Sequence, residues 1–193
     1  MTQDPTTKGA WLPEELSIMA LNLHTDPDPQ VLREAFGHFP SGVAALAAEH
    51  AGERHVIVAS SFSVGVSLAP PLVAVFIQKG SSTWPCLAQA QRIGVSILGN
   101  EHGAACRQLA ERDKQRRFDG VAAETQEDGA IRIAGAAAWF ACSVFDVYAA
   151  GDHDAFLLRI HDLQMEPEVA PLVFHRSRFT SVSAVPAVAL MAC

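Results

Sequence analysis

The chain has 193 residues, of which 49% are hydrophobic, and a formal net charge of −7. Such a length suits one domain with short appendages, and the apolar share is enough for a substantial core. The acidic balance argues against nucleic acid as a partner, since that affinity rests on clustered Lys and Arg, and the apolar runs fall short of the roughly 18 residues that cross a bilayer.

Residues 1–29 are rich in Pro, Thr and Asp and read as a mobile N-terminal arm, with one apolar stretch at 16–23. Behind Asp28-Pro29, the recurrence of Val31, Leu32, Ala35, Phe36 and Phe39 predicts a short amphipathic helix. Two β-runs, 42–48 and 55–59, flank the turn-like Ala51-Gly52-Glu53 and predict a hairpin; the alanines of the first run also permit a helix. Residues 60–69 read as a loop. After Pro70-Pro71, the apolar run 72–77 reads as a buried strand.

Ser82 or Thr83 stands where an N-cap should, and Pro85 fits the first turn of a helix that continues through Leu87, Ala88 and Ala90. A strand at 93–98 and a helix at 101–112 follow. The basic cluster 112–117 reads first as a solvated helix end and second as a site for phosphate or a dinucleotide. Strands at 137–148 and 155–166 enclose the turn Gly151-Asp152-His153-Asp154, and a last strand covers 171–175. Residues 180–193 form a C-terminal tail. No G-x-G-x-x-G follows a strand and no P-loop is present, so a mainly β fold with short helices is expected.

Two clusters of small hydroxyl residues, Ser60-Ser61 with Ser63 and Ser81-Ser82-Thr83, would lie at opposite ends of the strand 72–77. Hydroxyls and free turn N–H groups suit an anion or the edge of a heterocycle, and a helix starting at the second cluster offers a phosphate its N–H groups; simple capping is the plainer reading. His153, between two aspartates, suits proton delivery or a ligand contact, and equally an ordinary hydrogen-bonded turn. The cysteines Cys86, Cys106, Cys142 and Cys193 show no C-x-x-C pair and no zinc spacing, so reduced thiols in the cytoplasm and no metal site are expected.

The ordered set Phe36-Gly37-His38-Phe39-Pro40-Ser41-Gly42-Val43, Val58-Ala59-Ser60-Ser61-Phe62, Val66 to Val73 with its Pro-Pro pair, Ser81-Ser82-Thr83-Trp84 and Gly151-Asp152-His153 resembles the flavin reductase-like family. That family includes the reductase components of two-component flavin monooxygenases. The resemblance runs from about Val31 to Phe179. It implies a split β-barrel of the FMN-binding type over residues 30–179 that forms a homodimer and binds FMN or FAD.

Carried over by position, Ala59, Ser60, Ser61 and Phe62 would line the flavin ring, and Ser81, Ser82, Thr83 and Trp84 would lie near its phosphate. Ser96 stands where relatives often carry an Asn that reaches the flavin. His153 would be the catalytic or positioning residue where the nicotinamide docks, and Arg107 and Phe118 fall in segments that often border the cofactor. The stretch 63–69 is one residue longer than the family's common pattern. The implied activity is an NAD(P)H:flavin oxidoreductase, using NADH or NADPH and releasing reduced flavin to a flavin-dependent monooxygenase by diffusion. A flavoenzyme that keeps its flavin and acts on an organic substrate, and a non-catalytic flavin-binding protein, are the alternatives.

Overall fold

The computed structural model describes residues 26–183. Most of the expected N-terminal arm and residues 184–193 of the tail lie outside the described residues. Helix α1 (Pro29–Gly37) opens where the sequence suggests, because the Asp28 carboxylate accepts from the N–H groups of Gln30 and Val31 at 2.7 and 3.0 Å. These bonds satisfy two of the donors that a helix start leaves open.

Strands β1 (Ser41–Gly42), β2 (Ala44–His50) and β3 (Glu53–Ala59) come next. The β2–β3 hairpin turns at Ala51 and Gly52, both at positive φ (53° and 79°), a backbone twist that suits a two-residue connection. Strand β4 (Phe62–Leu68) and strand β5 (Pro71–Gln78) precede helix α2 (Trp84–Gln89) and strand β6 (Ile93–Ile97). The expected helix over 101–112 is instead a 3-10 turn, Asn100–His102, that runs into α3 (Gly103–Leu109). A second 3-10 turn, Lys114–Arg116, leads to β7 (Ala123–Thr125) and β8 (Ile131–Ile133). The long hairpin of β9 (Ala138–Ala150) and β10 (His153–Met165) is followed by β11 (Leu172–His175) and β12 (Arg178–Ser181).

Seven antiparallel strands form the main sheet in the order β3-β2-β6-β9-β10-β5-β4. The sheet does not close, so β3 and β4 are its two free edges, as a split barrel requires. Those two edges are consecutive in the chain. Three Cα steps of 3.8 Å separate Ala59 from Phe62, so the sheet must curl until its edges stand within roughly 11 Å at that point. Ser60 and Ser61 bridge the split.

The loop expected over 60–69 is therefore mostly strand. β4 runs antiparallel to β5, pairing Phe62 with Val75 and Leu68 with Pro71. Alternation alone hides this strand, because Val64, Val66 and Leu68 are exposed and the register slips in its middle. Between Ser63 and Ser67, four steps of β4 oppose two of β5, and Gly65 at φ 72° takes up the excess. The stretch read as longer than the family's pattern contains this bulge. The turn of β4 also brings the two hydroxyl clusters to the same end of β5, not to opposite ends.

Both faces of β2 are buried, which is why it reads as an unbroken apolar run rather than an alternating one. Ala44, Leu46 and Ala48 pack inside the curled sheet with Val75, Ile77, Leu87 and Leu158. Ala45 and Ala47 face the outer layer, where Leu109, Ile131, Ile133 and Leu172 cover them. Gly94 on β6 allows that layer to approach, since a Cβ there would clash with the Ile131 carbonyl.

Candidate active site at the open edge

The split holds a cavity of about 640 Å³ that opens to solvent. One wall is the consecutive run Val56 to Ser61, the free edge of β3 and the bridge beyond it. Opposite lie the end of β5, the Ser81-Ser82-Thr83 cluster and His153 at the start of β10. Ser61 Oγ donates to the Phe76 carbonyl at 2.8 Å and pins the bridge to β5.

Because β3 is an edge strand, half of its backbone groups face away from β2. Arg117 Nη1 donates to the Val56 carbonyl at 2.9 Å, which shows that Val56 presents its backbone to the cavity side. Strand alternation then turns the N–H and C=O of Val58 the same way, leaving a donor and an acceptor side by side. A heterocycle that carries adjacent carbonyl and N–H groups matches such an edge.

Arg117 also donates through Nη1 to Thr83 Oγ1 at 3.1 Å and through Nε to the Glu111 carbonyl at 2.7 Å. Its Nη2 makes no bond among the described residues. Lys114 Nζ donates to the Ser82 carbonyl at 3.0 Å. Two cations of the basic cluster therefore stand against the second hydroxyl cluster.

Helix α2 starts directly after the second hydroxyl cluster. It has six residues, and the N–H of Trp84 is already bonded to Ser81 Oγ at 3.2 Å. Thr83 stands at the N-cap position, one of the two places the sequence suggests, but makes no side-chain cap bond; its hydroxyl accepts from Arg117 instead.

His153 Nδ1 lies 2.7 Å from Asp152 Oδ1. A carboxylate only accepts, so Nδ1 carries the proton and a neutral ring turns an acceptor Nε2 to other partners. The bond from His153 holds the Asp152 carboxyl below its ordinary value, with the attraction of the imidazolium charge second. Lys79 fixes this turn to β5, with Nζ donating to the Gly151 carbonyl at 2.6 Å and its own N–H donating to the Asp152 carbonyl at 3.1 Å.

Of the residues singled out from sequence, Ala59, Ser60, Ser61, Ser81, Ser82, Thr83 and His153 line this one cavity. Four others do not. Phe62 turns into the core packing. Trp84 is buried with its ring centroid 4.3 Å from that of Phe156. Ser96 is fully buried, and its Oγ accepts from the Ile133 N–H at 3.0 Å, so it ties β6 to β8. Arg107 lies over the Phe179 ring and Phe118 under the Arg54 guanidinium, both away from the cavity. Arg117, Phe76 and the β3 edge are among the lining groups that sequence reasoning did not name as site residues. For Arg117 a signal existed in the basic cluster; for the β3 edge none did, since edge position is a property of the sheet.

Residues 36–183 match the flavin reductase like domain family. A flavin reductase of Pseudomonas putida is 32% identical over 159 residues, covering 82% of this chain and 92% of its own length. The solved NADH:FAD oxidoreductase of Streptomyces globisporus C-1027 superposes with a TM-score of 0.76 at 31% identity, covering 84% of this chain and 98% of its own. The nitrilotriacetate monooxygenase component B of Mycobacterium thermoresistibile gives a TM-score of 0.76 at 29% identity, over 82% of this chain and 90% of its own.

Proposed function

The chain belongs to the flavin reductase-like family, and on that premise we propose that it is an NAD(P)H:flavin oxidoreductase that supplies reduced flavin to a partner monooxygenase. One observation carries the reading. The β3 edge, both hydroxyl clusters, Arg117 and His153 converge on a single open cavity of about 640 Å³, inside the size range of small-molecule sites.

The groups present fit a flavin. The outward backbone of Val58 and the hydroxyls of Ser60 and Ser61 would bond the polar edge of its ring. Arg117 and Lys114, beside Ser82 and Thr83, would hold its phosphate. His153, oriented by Asp152, would present Nε2 to the carboxamide of an incoming nicotinamide and keep the two substrates in register. Bound flavin supplies the chemistry, accepting a hydride from the nicotinamide. The open mouth suits an exchangeable substrate rather than a captive cofactor.

A second copy of the chain suits the apolar side of the half-sheet β4-β5-β10-β9, where Leu68, Val144, Val147, Leu163 and Met165 are exposed. The reading places the reaction in the cytoplasm, in keeping with the free thiols of Cys86, Cys106 and Cys142. Among the described residues no helix is long and apolar enough to cross a membrane.

Stopped-flow mixing of the full chain with NADH or NADPH and riboflavin, FMN or FAD tests the activity. Flavin-dependent nicotinamide oxidation is expected, and its absence in every combination would overturn the reading. Light scattering reads the assembly, with a dimer expected and a Leu163→Asp, Met165→Lys variant shifted to monomer.

A further inference from the structure

Helix α1 presents an apolar face that the described residues leave open. Leu32, Phe36 and Phe39 fall at i, i+4 and i+7, one stripe of the helix, and Phe36 and Phe39 are 68% and 74% exposed. None of the nine residues of α1 is buried. The body of the fold grips its C-terminal end, where the Arg176 N–H donates to the Gly37 carbonyl at 2.8 Å and Arg176 Nη2 donates to His38 Nδ1 at 3.1 Å. A helix shorter than about 12 residues is marginal in water by itself, and most helical stability in proteins comes from packing an apolar face. That packing is what α1 lacks among the described residues.

We propose that residues 16–23 of the same chain cover this face, packed antiparallel to α1 as the first limb of a helical hairpin. Leu16, Met19, Ala20 and Leu23 fall at i, i+3, i+4 and i+7, the spacing of one apolar helix stripe. Pro13, Glu14 and Glu15 stand just ahead, where a helix start favours proline and acidic residues. Seven steps separate Leu16 from Leu23, and seven separate Leu32 from Phe39, so each stripe is about 10 Å long at 1.5 Å per residue. Antiparallel packing sets Leu23 beside Leu32 and Leu16 beside Phe39.

The link between the two stripes identifies the occupant. Residues 24–28 join them, and five residues lie within the roughly 2–8 that connect neighbouring helices. Asp26, inside that link, stands at φ 54°, the left-handed conformation in which a chain commonly leaves a helix end. A tether this short holds residues 16–23 beside α1 at an effective concentration on the order of 1 mM, an advantage that a segment of another molecule does not have.

The test follows amide hydrogen exchange in the full chain by mass spectrometry. Met19→Asp with Leu23→Asp is expected to speed exchange of residues 31–37 about tenfold, with near-UV circular dichroism as the check that the rest of the fold stands. No residue of α1 lines the cavity at the split, so ligand binding there should not change. Phe36→Asp is expected to speed exchange of residues 16–23 in return. Unchanged exchange of α1 in the first variant, or of residues 16–23 in the second, would overturn the proposal. Protection of α1 that is present in dimeric chain and lost on dilution to monomer would give the face to a second copy. Loss of protection in Val185→Asp with Leu190→Asp, but not in the Met19 and Leu23 variant, would give it to the C-terminal tail; either result overturns the proposal.

Discussion

Arg117 Nη1 donates to the hydroxyl of Thr83, a residue only 5% exposed, at 3.1 Å. The same nitrogen reaches the Val56 carbonyl, so one guanidinium joins the segment 113–117, the start of α2 and the free edge of β3. The two sides of the split are held in register by this side chain. Thr83→Val keeps the shape and removes the acceptor, and hydrogen bonds to charged groups contribute about 1.5–3 kcal/mol. Urea unfolding should show a loss of that order, and the KM for flavin should rise severalfold because Arg117 would no longer be aimed.

Ser96 separates a structural from a functional reading of one position. Its buried hydroxyl accepts from the Ile133 N–H, so Ser96→Ala leaves that donor unpaired at a cost of about 1–3 kcal/mol. The thermal midpoint should fall while the Kd for flavin stays unchanged. A weakened Kd with unaltered stability would return Ser96 to the binding site.

His153→Ala is expected to slow nicotinamide oxidation about tenfold, one increment of roughly 1.4 kcal/mol in the barrier, with the Kd for flavin little changed. The same variant should move the Asp152 titration back towards its ordinary value of 3.8. The sign follows from the lowered carboxyl: its favourable contact is complete above the ordinary value and is lost as pH falls through the lowered one. Carboxyl NMR through the acid range reads the shift, and an unmoved Asp152 would mean that the two side chains do not bond in solution.

Burial pushes the Cys142 thiol up from 9.0 to about 12. A raised thiol favours the protonated folded state, so the stabilisation is whole below 9.0 and is lost as pH rises towards 12, at about 1.4 kcal/mol per pH unit. Cys142→Val should flatten the decline of unfolding free energy across that window. In the native protein, a thiol reagent at pH 8 should label Cys86, which is partly exposed, and spare Cys142 until the chain unfolds.

Much of the site was legible in the chain itself. Local chemistry marks Ser60, Ser61, Ser81, Ser82 and His153, because clustered small hydroxyls and an imidazole between two aspartates depend on neighbours in sequence. The hairpins and the long β9–β10 pair are likewise local, their turns being written in Gly52 and Gly151 with positive φ. What misled were residues whose role depends on distant partners. Phe62, Trp84 and Ser96 sit within or beside the right motifs, yet their side chains point to the core layers rather than to the cavity.

The sequence by itself determined a mainly β chain, the positions of its turns and two patches of small hydroxyl residues, since each rests on periodicity and contacts between near neighbours. Only the tertiary structure decided that the patches meet. Strand β4 folds back along β5, and the seven-stranded sheet curls without closing, so that its two edges face each other across Ser60 and Ser61. An edge strand, and a cation such as Arg117 aimed at it from 61 residues away, exist only once the sheet has formed.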